Sequence, residues 1–259
     1  MIQNILNKIE EKRYSKSYFW VILINFKDFL WRSLCWFNTS FLVNNLFLRK
    51  QYDFLFLDSI KRSKGILHVG AHLGEEAKLY NSFNKEVFWI EANPDIYSDL
   101  KKNISEYKNQ KAINALVTDK ENKIYSFNIS NNFFGVSSSI FDFGEFHKGK
   151  KSLWKGDFFM VKKMKLKSKT LKTIYAENKF FTHNLDLLVL DIQGAELLAL
   201  KGMGKLLDNF KFVWVEVSQV PIYKKGVLLP ELTSFLNRNG FHLVSKTIPL
   251  SGDVLFVKK

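Results

Sequence analysis

A short apolar strand followed by two glycines is the first feature of this chain that indicates chemistry. The run at 66–76 reads Ile-Leu-His-Val-Gly-Ala-His-Leu-Gly-Glu-Glu, with Gly70 and Gly74 at its turn. A strand that enters a glycine turn and then a helix brings backbone amides close to a ligand. The next apolar strand ends at Glu91, and an acid about 20 residues after the first glycine is suited to bind ribose hydroxyls. Together, these residues predict the front half of a nucleotide-type cofactor pocket.

Two more carboxylates end apolar strands later in the chain. Asp191 follows the run 185–190, and Glu216 lies near the end of 212–217. In an open α/β sheet, ligands bind at the carboxyl ends of the strands, so both acids are expected at the same edge as the glycine turn. The pair can bind a divalent metal, or one acid can accept a proton while the other positions a substrate. Of these two alternatives, we favour the one without a metal.

Strand and helix patterns alternate from residue 65 onward. Strands are predicted at 66–70, 86–91, 112–117, 185–190 and 212–217, and helices at 74–83, 94–107, 195–201 and 230–239. This alternation predicts a doubly wound, mostly parallel α/β sheet. The last two strands, 241–247 and 254–258, are joined by a turn too short for a parallel crossover, so they must form an antiparallel hairpin. A seven-stranded, Rossmann-like sheet ending in such a hairpin is typical of S-adenosylmethionine (SAM) methyltransferases, and the absent third glycine disfavours a dinucleotide site.

Several short motifs match a known pattern when they are taken together. They lie at 68–76, 89–94, 135–140 with His147 beyond it, 190–197, 216–217 with 223–226, and 252–253. In this combination the chain resembles the FkbM family of SAM-dependent methyltransferases over about residues 65–258. The resemblance implies SAM as the cofactor and methylation of a hydroxyl oxygen, commonly on a sugar or another secondary metabolite. The family usually has Asp in place of His68 and Asn in place of His72, so the backbone of the turn is expected to act rather than these side chains.

The resemblance also implies three sets of site residues. Those expected to bind SAM are Gly70, Ala71, His72, Gly74, Glu75, Glu91, Asn93, Asn114, Ala115, Ser138 and Asp191. Those expected to contact the acceptor are Ser137, Ser139, Gln193 and Tyr223. Because a hydroxyl is a weak nucleophile, a positioned general base is expected to contribute about 100-fold to 10,000-fold, and its candidates are Asp191, His147 and Glu216. His147 has the side chain whose ordinary pKa best suits base catalysis near neutrality. His183 and His242 belong to no motif and are expected to be structural.

The net charge of +14 predicts attraction to polyanions such as phosphorylated glycans, anionic lipid or nucleic acid. Lysines are densest in an insertion at about 120–183, where alternation near 160–167 predicts a strand with one lysine-rich face. That face is either solvated or a rim that attracts an anionic acceptor. A nucleic-acid methyltransferase is disfavoured, because Asp191 is followed by Ile-Gln-Gly and not by the Pro-Pro-aromatic sequence that holds a flipped base. A non-catalytic SAM-binding or nucleotide-binding module is the third alternative.

Residues 1–64 differ in composition from the predicted methyltransferase domain at 65–259. They contain 14 aromatic residues, and their 11 Lys and Arg outnumber 5 acids, so we predict a helical, basic extension. Its longest charge-free run, 33–48, is shorter than the roughly 20 apolar residues that span a bilayer. The extension either packs its aromatic face on the main domain or lies on an anionic membrane surface. The single cysteine, Cys35, fits a reducing cytoplasm, with the extension at the inner face of a membrane in the second case.

Overall fold

The computed structural model describes residues 54–147, 157–246 and 248–259, except for the side chain of Phe181. The predicted helical extension therefore lies largely outside the described residues, and so do the lysines at 148–156. The part of the extension that is described is helix α1, Phe54–Arg62. The ring of Phe56 in α1 lies 4.8 Å from that of Trp214, so this helix packs on the main domain. The proposed boundary between residues 64 and 65 stays a prediction.

Strands and helices then alternate along the chain as expected. After α1 the order is β1 (Gly65–Val69), α2 (Ala77–Ser82), β2 (Glu86–Glu91), α3 (Pro94–Asn103), β3 (Gln110–Asn114), β4 (Leu116–Val117), β5 (Ile124–Ser130), β6 (Met160–Lys169), α4 (Leu171–Glu177), β7 (Leu187–Leu190), α5 (Glu196–Met203), β8 (Phe212–Ser218), α6 (Leu229–Arg238), β9 (Phe241–Leu243) and β10 (Ser251–Lys258). Pro94 opens α3, where a missing amide costs nothing, and the side chain of Asn93 caps the helix by accepting from the amide of Asp95.

Seven strands form one sheet in the order β3-β2-β1-β7-β8-β10-β9. The five strands from β3 to β8 pair in parallel, whereas β10 pairs antiparallel with both β8 and β9. The prediction of a doubly wound, mostly parallel sheet with an antiparallel C-terminal hairpin is therefore confirmed. Every residue of β1 is buried, as expected for a central parallel strand with both faces covered. The carboxyl ends of β1, β2, β7 and β8 consequently meet at one edge of the sheet.

The prediction of one continuous strand at 112–117 is wrong, because the structure has two strands there. β3 ends at Asn114, whose Nδ2 donates to the backbone oxygens of Glu91 (2.8 Å) and Ala92 (3.1 Å). β4 then pairs with β6 in a separate three-stranded sheet of order β4-β6-β5. The insertion therefore begins directly after β3, at the edge of the main sheet where its parallel strands end.

Two helices are shorter than the sequence predicts. α2 begins at Ala77 rather than near 74, because Gly74 has a φ of +75° and cannot be helical. α3 ends at Asn103 rather than at 107. In the described part of the chain, no helix has the length and apolar character needed to cross a membrane.

Candidate functional site

The glycine turn after β1 contacts the ends of the neighbouring strands β7 and β2. Gly70 has a φ of +86°, and a Cβ built on it would lie 1.7 Å from the backbone oxygen of Asp191. Only glycine therefore allows the end of β1 to approach the end of β7 this closely. The amides of Gly70 and Ala71 both donate to the backbone oxygen of Ile90, at 2.9 and 3.1 Å. The expectation that these amides point at the cofactor is therefore wrong, because the neighbouring strand already uses them.

Glu91, at the end of β2, is held by the backbone on both sides of its carboxylate. Its Oε2 accepts from the amide of His72 (2.9 Å), and its Oε1 accepts from the amide of Asn93 (2.7 Å). The residue is buried, and burial raises the pKa of Glu91 to about 6 although these two hydrogen bonds oppose the shift. Each carboxylate oxygen has a second lone pair for a ligand hydroxyl, since an ionised carboxylate has about four acceptor sites.

A cleft of about 670 Å³, including the part open to solvent, lies at this edge of the sheet. The predicted cofactor residues that line it are Gly70, His72, Glu91, Asn93, Ala115, Ser138 and Asp191. The four that do not line it are Ala71, Gly74, Glu75 and Asn114, which hold the turn and the ends of the strands. The cleft also has an apolar wall that the sequence did not reveal, formed by Ile90, Ile96, Val117 and Phe127. Of this wall, only Ile96 was predictable from its neighbours in the sequence, because it is the apolar residue in the first turn of α3 after Asn93.

Asp191 and Glu216 end adjacent strands and are joined by one side chain. Nε2 of Gln193 donates to Oδ1 of Asp191 (2.5 Å) and to Oε2 of Glu216 (2.9 Å). The other end of the same amide, Oε1, accepts from the hydroxyl of Tyr223, which fixes the orientation of the amide group. Gln193 itself has a φ of +56°, an uncommon conformation for a side-chain-bearing residue. The structure therefore brings together four predicted site residues: two catalytic candidates and two acceptor candidates.

Burial raises the pKa of both carboxyls in this pair, and repulsion between charges adds to the rise at Glu216. Burial raises the pKa of Asp191, against the effect of its hydrogen bonds with Glu216 and Gln193. The pKa of Glu216 is raised well above its ordinary value by burial and by the charges of Asp191 and Glu196. The pKa is raised further at Glu216 than at Asp191, so Asp191 is the better candidate for proton acceptor of the two.

Glu196, at the start of α5, is a functional residue to which the sequence assigned no role. Its buried carboxylate accepts from the amides of Ile192 and Gly194, both at 3.1 Å, and so fixes the loop that carries Gln193. Burial raises the pKa of Glu196 to about 7. An acid in the first turn of a helix, directly after a glycine loop, was the available signal, because such acids bind the free amides of helix starts.

The serine run predicted to contact ligands is used largely within the protein. The hydroxyl of Ser139 donates to the backbone oxygen of Gln193 (2.7 Å), and that of Ser137 accepts from Nδ2 of Asn132 (2.8 Å). Ser138 lines the cleft, with its hydroxyl bonded to the amide of Ser130 (3.1 Å). Ser137 and Ser139 do not line the cleft, and they support the loop and the segment that carries Gln193.

The histidines outside β1 have partners other than Asp191 and Glu216. His147 stacks on the ring of Phe143 at 5.1 Å and bonds through Nδ1 to the backbone oxygen of Gly144 (2.6 Å), so the structure does not bring it together with Asp191. Nδ1 of His72 lies 2.7 Å from Oε1 of Glu75. Burial alone would lower the pKa of His72, but the hydrogen bond and charge of Glu75 outweigh it and raise the pKa. His183 pairs with Glu86 at 2.8 Å and His242 lies in β9, consistent with structural roles.

His68 lies inside β1 and makes a testable contribution to stability. Its ring stacks on Trp89 at 4.7 Å, its Nδ1 lies 3.1 Å from the hydroxyl of Tyr80, and burial lowers its pKa from 6.5 to about 3. The folded-state pKa is below the unfolded one, so the contribution is complete above pH 6.5 and is lost as the pH falls toward 3. We expect about 2 kcal/mol to be lost between pH 7.5 and pH 5 through this group.

The measurement is denaturant unfolding of the parent and of His68→Phe at both pH values. Phe keeps the ring over Trp89 but cannot take up a proton, so the pH-dependent loss should be about 2 kcal/mol smaller in the variant. Acids with raised pKa values, such as Glu196, act equally in both proteins and cancel in the comparison. An equal pH dependence of the two proteins would show that His68 is not buried in its neutral form.

The lysine-rich strand is confirmed, and three of its lysines lie on the face away from the cleft. Phe127 of β5 lines the cleft and pairs directly with Met164 of β6. Because side chains alternate along a strand, the exposed Lys163, Lys165 and Lys167 lie on the opposite face. The acids that line the cleft are Glu91 and Asp191. They make the cleft negative where a ligand would bind, although the whole chain is basic.

The donors of the cleft fit SAM. An apolar wall suits a flat adenine ring, Glu91 presents carboxylate oxygens suited to ribose hydroxyls, and Asp191 provides negative charge for a cationic sulfonium. Among the described residues, no group of three or more His, Cys, Asp or Glu side chains is placed to hold a metal ion.

A comparison with families of known proteins identifies the family of this chain. The family model described as the Methyltransferase FkbM domain matches residues 68–243, which is more than half of the chain. The chain therefore belongs to the FkbM methyltransferase family, which confirms the resemblance stated from the motifs and, with it, SAM as the cofactor. No curated protein gives a significant match to the sequence.

Solved structures with a similar chain trace include several SAM methyltransferases. One is magnesium protoporphyrin IX methyltransferase from Synechocystis PCC 6803 with bound SAM, at 8% identity and a TM-score of 0.44, covering 84% of this chain and 81% of that chain. Another is fibrillarin from Aeropyrum pernix with SAM, at 12% identity and a TM-score of 0.43, covering 77% and 68%. A third is TrmK from M. capricolum with S-adenosylhomocysteine, at 8% identity and a TM-score of 0.40, covering 80% and 69%.

Proposed function

We propose that this methyltransferase transfers the methyl group of SAM to a hydroxyl oxygen of a saccharide or a related small molecule. The observation that carries the proposal is the pair of Asp191 and Glu216, bridged by Gln193 at the edge of the cofactor cleft. An unprotonated amine attacks without a base, whereas a hydroxyl must lose its proton as it attacks. A positioned proton acceptor therefore favours an oxygen acceptor.

In this proposal, one set of residues binds SAM and another accepts the proton of the acceptor. Glu91 holds the ribose, and the wall of Ile96 and Phe127 excludes water from the adenine side. Bound there, SAM supplies an electrophilic methyl group and leaves as a neutral thioether. Asp191 receives the proton of the attacking hydroxyl, while Glu216 and Gln193 keep its carboxylate oriented. Tyr223 keeps the amide of Gln193 from rotating.

The acceptor occupies a second cleft, of about 380 Å³ including the part open to solvent, that shares Gln193 with the first. Its polar side chains include Glu216, Ser218 and Tyr223, and its apolar side includes Val227 and Leu228. A mixture of hydroxyls, two carboxyls (Glu196 and Glu216) and apolar surface suits a polyhydroxy compound that presents both ring faces and hydroxyls. The acids disfavour a negative group at the reacting end, so the acceptor is uncharged there even if it is anionic elsewhere.

The experiment is incubation of the full chain with methyl-labelled SAM and a cell-envelope or glycan extract, followed by fractionation. We expect label in a carbohydrate fraction, and we expect it to survive mild alkali, which removes methyl esters but not methyl ethers. Label that is confined to nucleic acid or protein, or that is released by mild alkali, would refute the proposal.

A further inference from the structure

Two consecutive phenylalanines stand exposed at the mouth of the cofactor cleft. Phe133 and Phe134 are each 64% exposed and have φ values of +28° and +55°. Positive φ in a bulky residue is an outlier that costs free energy and persists only where the surroundings impose it. The next residues, Gly135 and Val136, line the cleft, so this strained loop forms part of its entrance.

Hydrogen bonds hold the backbone of this loop on both sides of the two exposed phenylalanines. The side chain of Asn132 accepts from the hydroxyl of Ser130 (2.6 Å) and donates to that of Ser137 (2.8 Å). The hydroxyl of Ser138 donates to the backbone oxygen of Gly135 (2.5 Å). A loop fixed at both ends and strained at its centre presents its two rings outward in a set arrangement.

More apolar side chains join this loop from the start of β6 and from the residue before it. The amide of Asn131 donates to the backbone oxygen of Phe159 (3.0 Å), and the amide of Phe159 donates back to the side chain of Asn131 (3.0 Å). Phe159 is 55% exposed. Val161, 57% exposed, is the extra residue of a β-bulge, because Ile129 pairs with Lys162 whereas Ser130 pairs with Met160. We call the exposed side chains at this end of the β5–β6 ribbon the apolar tip: Phe133, Phe134, Val136, Phe159 and Val161.

Lysines follow directly behind the apolar tip. The basic collar consists of Lys162, Lys163 and Lys165, which are exposed within the first six residues of β6. Asp142 lies 3.6 Å from Lys163, and Asp157 is the one acid of the sequence 157–169, against five lysines. An apolar tip of aromatic side chains backed by cations is complementary to a surface that is apolar inside and anionic at its rim. Residues 1–53, with eight Lys and Arg against four acids, have the same sign of charge as the collar and do not complement it.

We infer that the apolar tip inserts into the interface of an anionic lipid bilayer, with the basic collar on its headgroups. This docking places the mouth of the cofactor cleft at the membrane surface. It goes beyond the proposed function, because lipid binding needs neither SAM nor an acceptor. It is also distinct from any membrane contact of residues 1–64.

The test uses the full chain and two kinds of vesicle, phosphatidylcholine alone and phosphatidylcholine mixed with phosphatidylglycerol. We expect co-sedimentation with the anionic vesicles, weakened by salt, and little with the neutral ones. The double variant Phe133→Ser with Phe159→Ser should bind the anionic vesicles about tenfold or more weakly, because two large apolar side chains no longer enter the interface. Lys162→Gln with Lys165→Gln should weaken binding to the anionic vesicles only.

The matched control is Ile124→Ser, because Ile124 is 66% exposed at the other end of β5 and has a similar apolar character. It should bind vesicles like the parent. Retained SAM affinity and an unchanged thermal midpoint show that the double variant is folded. The inference is overturned if the parent does not bind anionic vesicles, or if the double variant binds as Ile124→Ser does. A dimer in lipid-free solution that the phenylalanine substitutions dissociate would assign the tip to a second copy instead and would equally overturn it.

Discussion

Replacing Asp191 by Asn is expected to lower kcat for methyl transfer by about 100-fold to 10,000-fold, which is the usual contribution of a general base. Asn keeps the shape of Asp191 and an oxygen that accepts from Nε2 of Gln193, so the local structure should survive. What it lacks is the capacity to take the proton of the acceptor hydroxyl. The measurement is steady-state kinetics with the labelled acceptor fraction, together with calorimetric titration of SAM.

Two further variants separate the base from its partner. Glu216→Gln keeps a hydrogen-bond donor toward Asp191 and should cost about tenfold or less, because the protonated carboxyl is itself a donor in the parent. Asp208→Asn, an exposed acid that pairs with Lys258 at 2.7 Å, is the matched control and should have parental activity. A larger loss from Glu216→Gln than from Asp191→Asn would reverse the assigned roles.

The same assignment fixes the direction of the pH dependence. The base must be ionised to act, and burial raises the pKa of Asp191. In the parent, kcat should therefore fall as the pH is lowered, and this fall should begin at a higher pH than for an ordinary aspartate. The residual activity of Asp191→Asn should lose this acid limb, and an unchanged limb would place the base elsewhere.

Replacing Glu91 by Ala is expected to weaken SAM binding by about 100-fold. The substitution removes the carboxylate that faces the ribose, and it also leaves the amides of His72 and Asn93 without their acceptor. Hydrogen bonds to a charged group contribute about 1.5–3 kcal/mol each. The loss of two such bonds between Glu91 and the ribose hydroxyls therefore corresponds to at least this factor. Isothermal titration of SAM into the parent and the variant measures it directly.

The control for Glu91 lies on the same strand. Glu86→Gln changes an acid at the opposite end of β2, where it pairs with His183 at 2.8 Å, and should leave SAM affinity unchanged. Because the pKa of Glu91 is about 6, parental SAM affinity should also decrease as the pH falls below 6, and Glu91→Ala should lack this decrease. If Glu91→Ala bound SAM as tightly as the parent, the cofactor would not be where we place it.

The fold was predictable where short-range patterns decide the structure. β2 has the predicted bounds, because a run of apolar residues lies between a polar start at Glu86 and the acid Glu91. The antiparallel hairpin follows from a short connection, which allows no other arrangement. The divided strand at 112–117 was missed because its break depends on Asn114 bonding to Glu91 and Ala92, residues more than 20 positions away.

The same distinction applies to the site. The positions of Glu91, Asp191 and Glu216 follow from strand ends, which any parallel sheet brings to one edge. The bridge formed by Gln193 was not predictable, because it joins side chains 23 and 30 positions distant in the sequence, at Glu216 and Tyr223. The role of Gly70 also depends on a distant contact, its approach to the backbone of Asp191. The sequence was sufficient to place the acids, whereas only the tertiary structure shows how Gln193 joins two of them.

The central claim is that the carboxylate pair serves transfer of a methyl group from SAM to a hydroxyl oxygen. The most direct measurement is NMR of the product made with carbon-13 methyl SAM and purified from the labelled fraction. We predict a methyl ether on a carbohydrate carbon, formed by the parent and Asp208→Asn and reduced at least 100-fold with Asp191→Asn. A methyl group on nitrogen or on a carboxyl oxygen, or an equal yield with Asp191→Asn, would contradict the account.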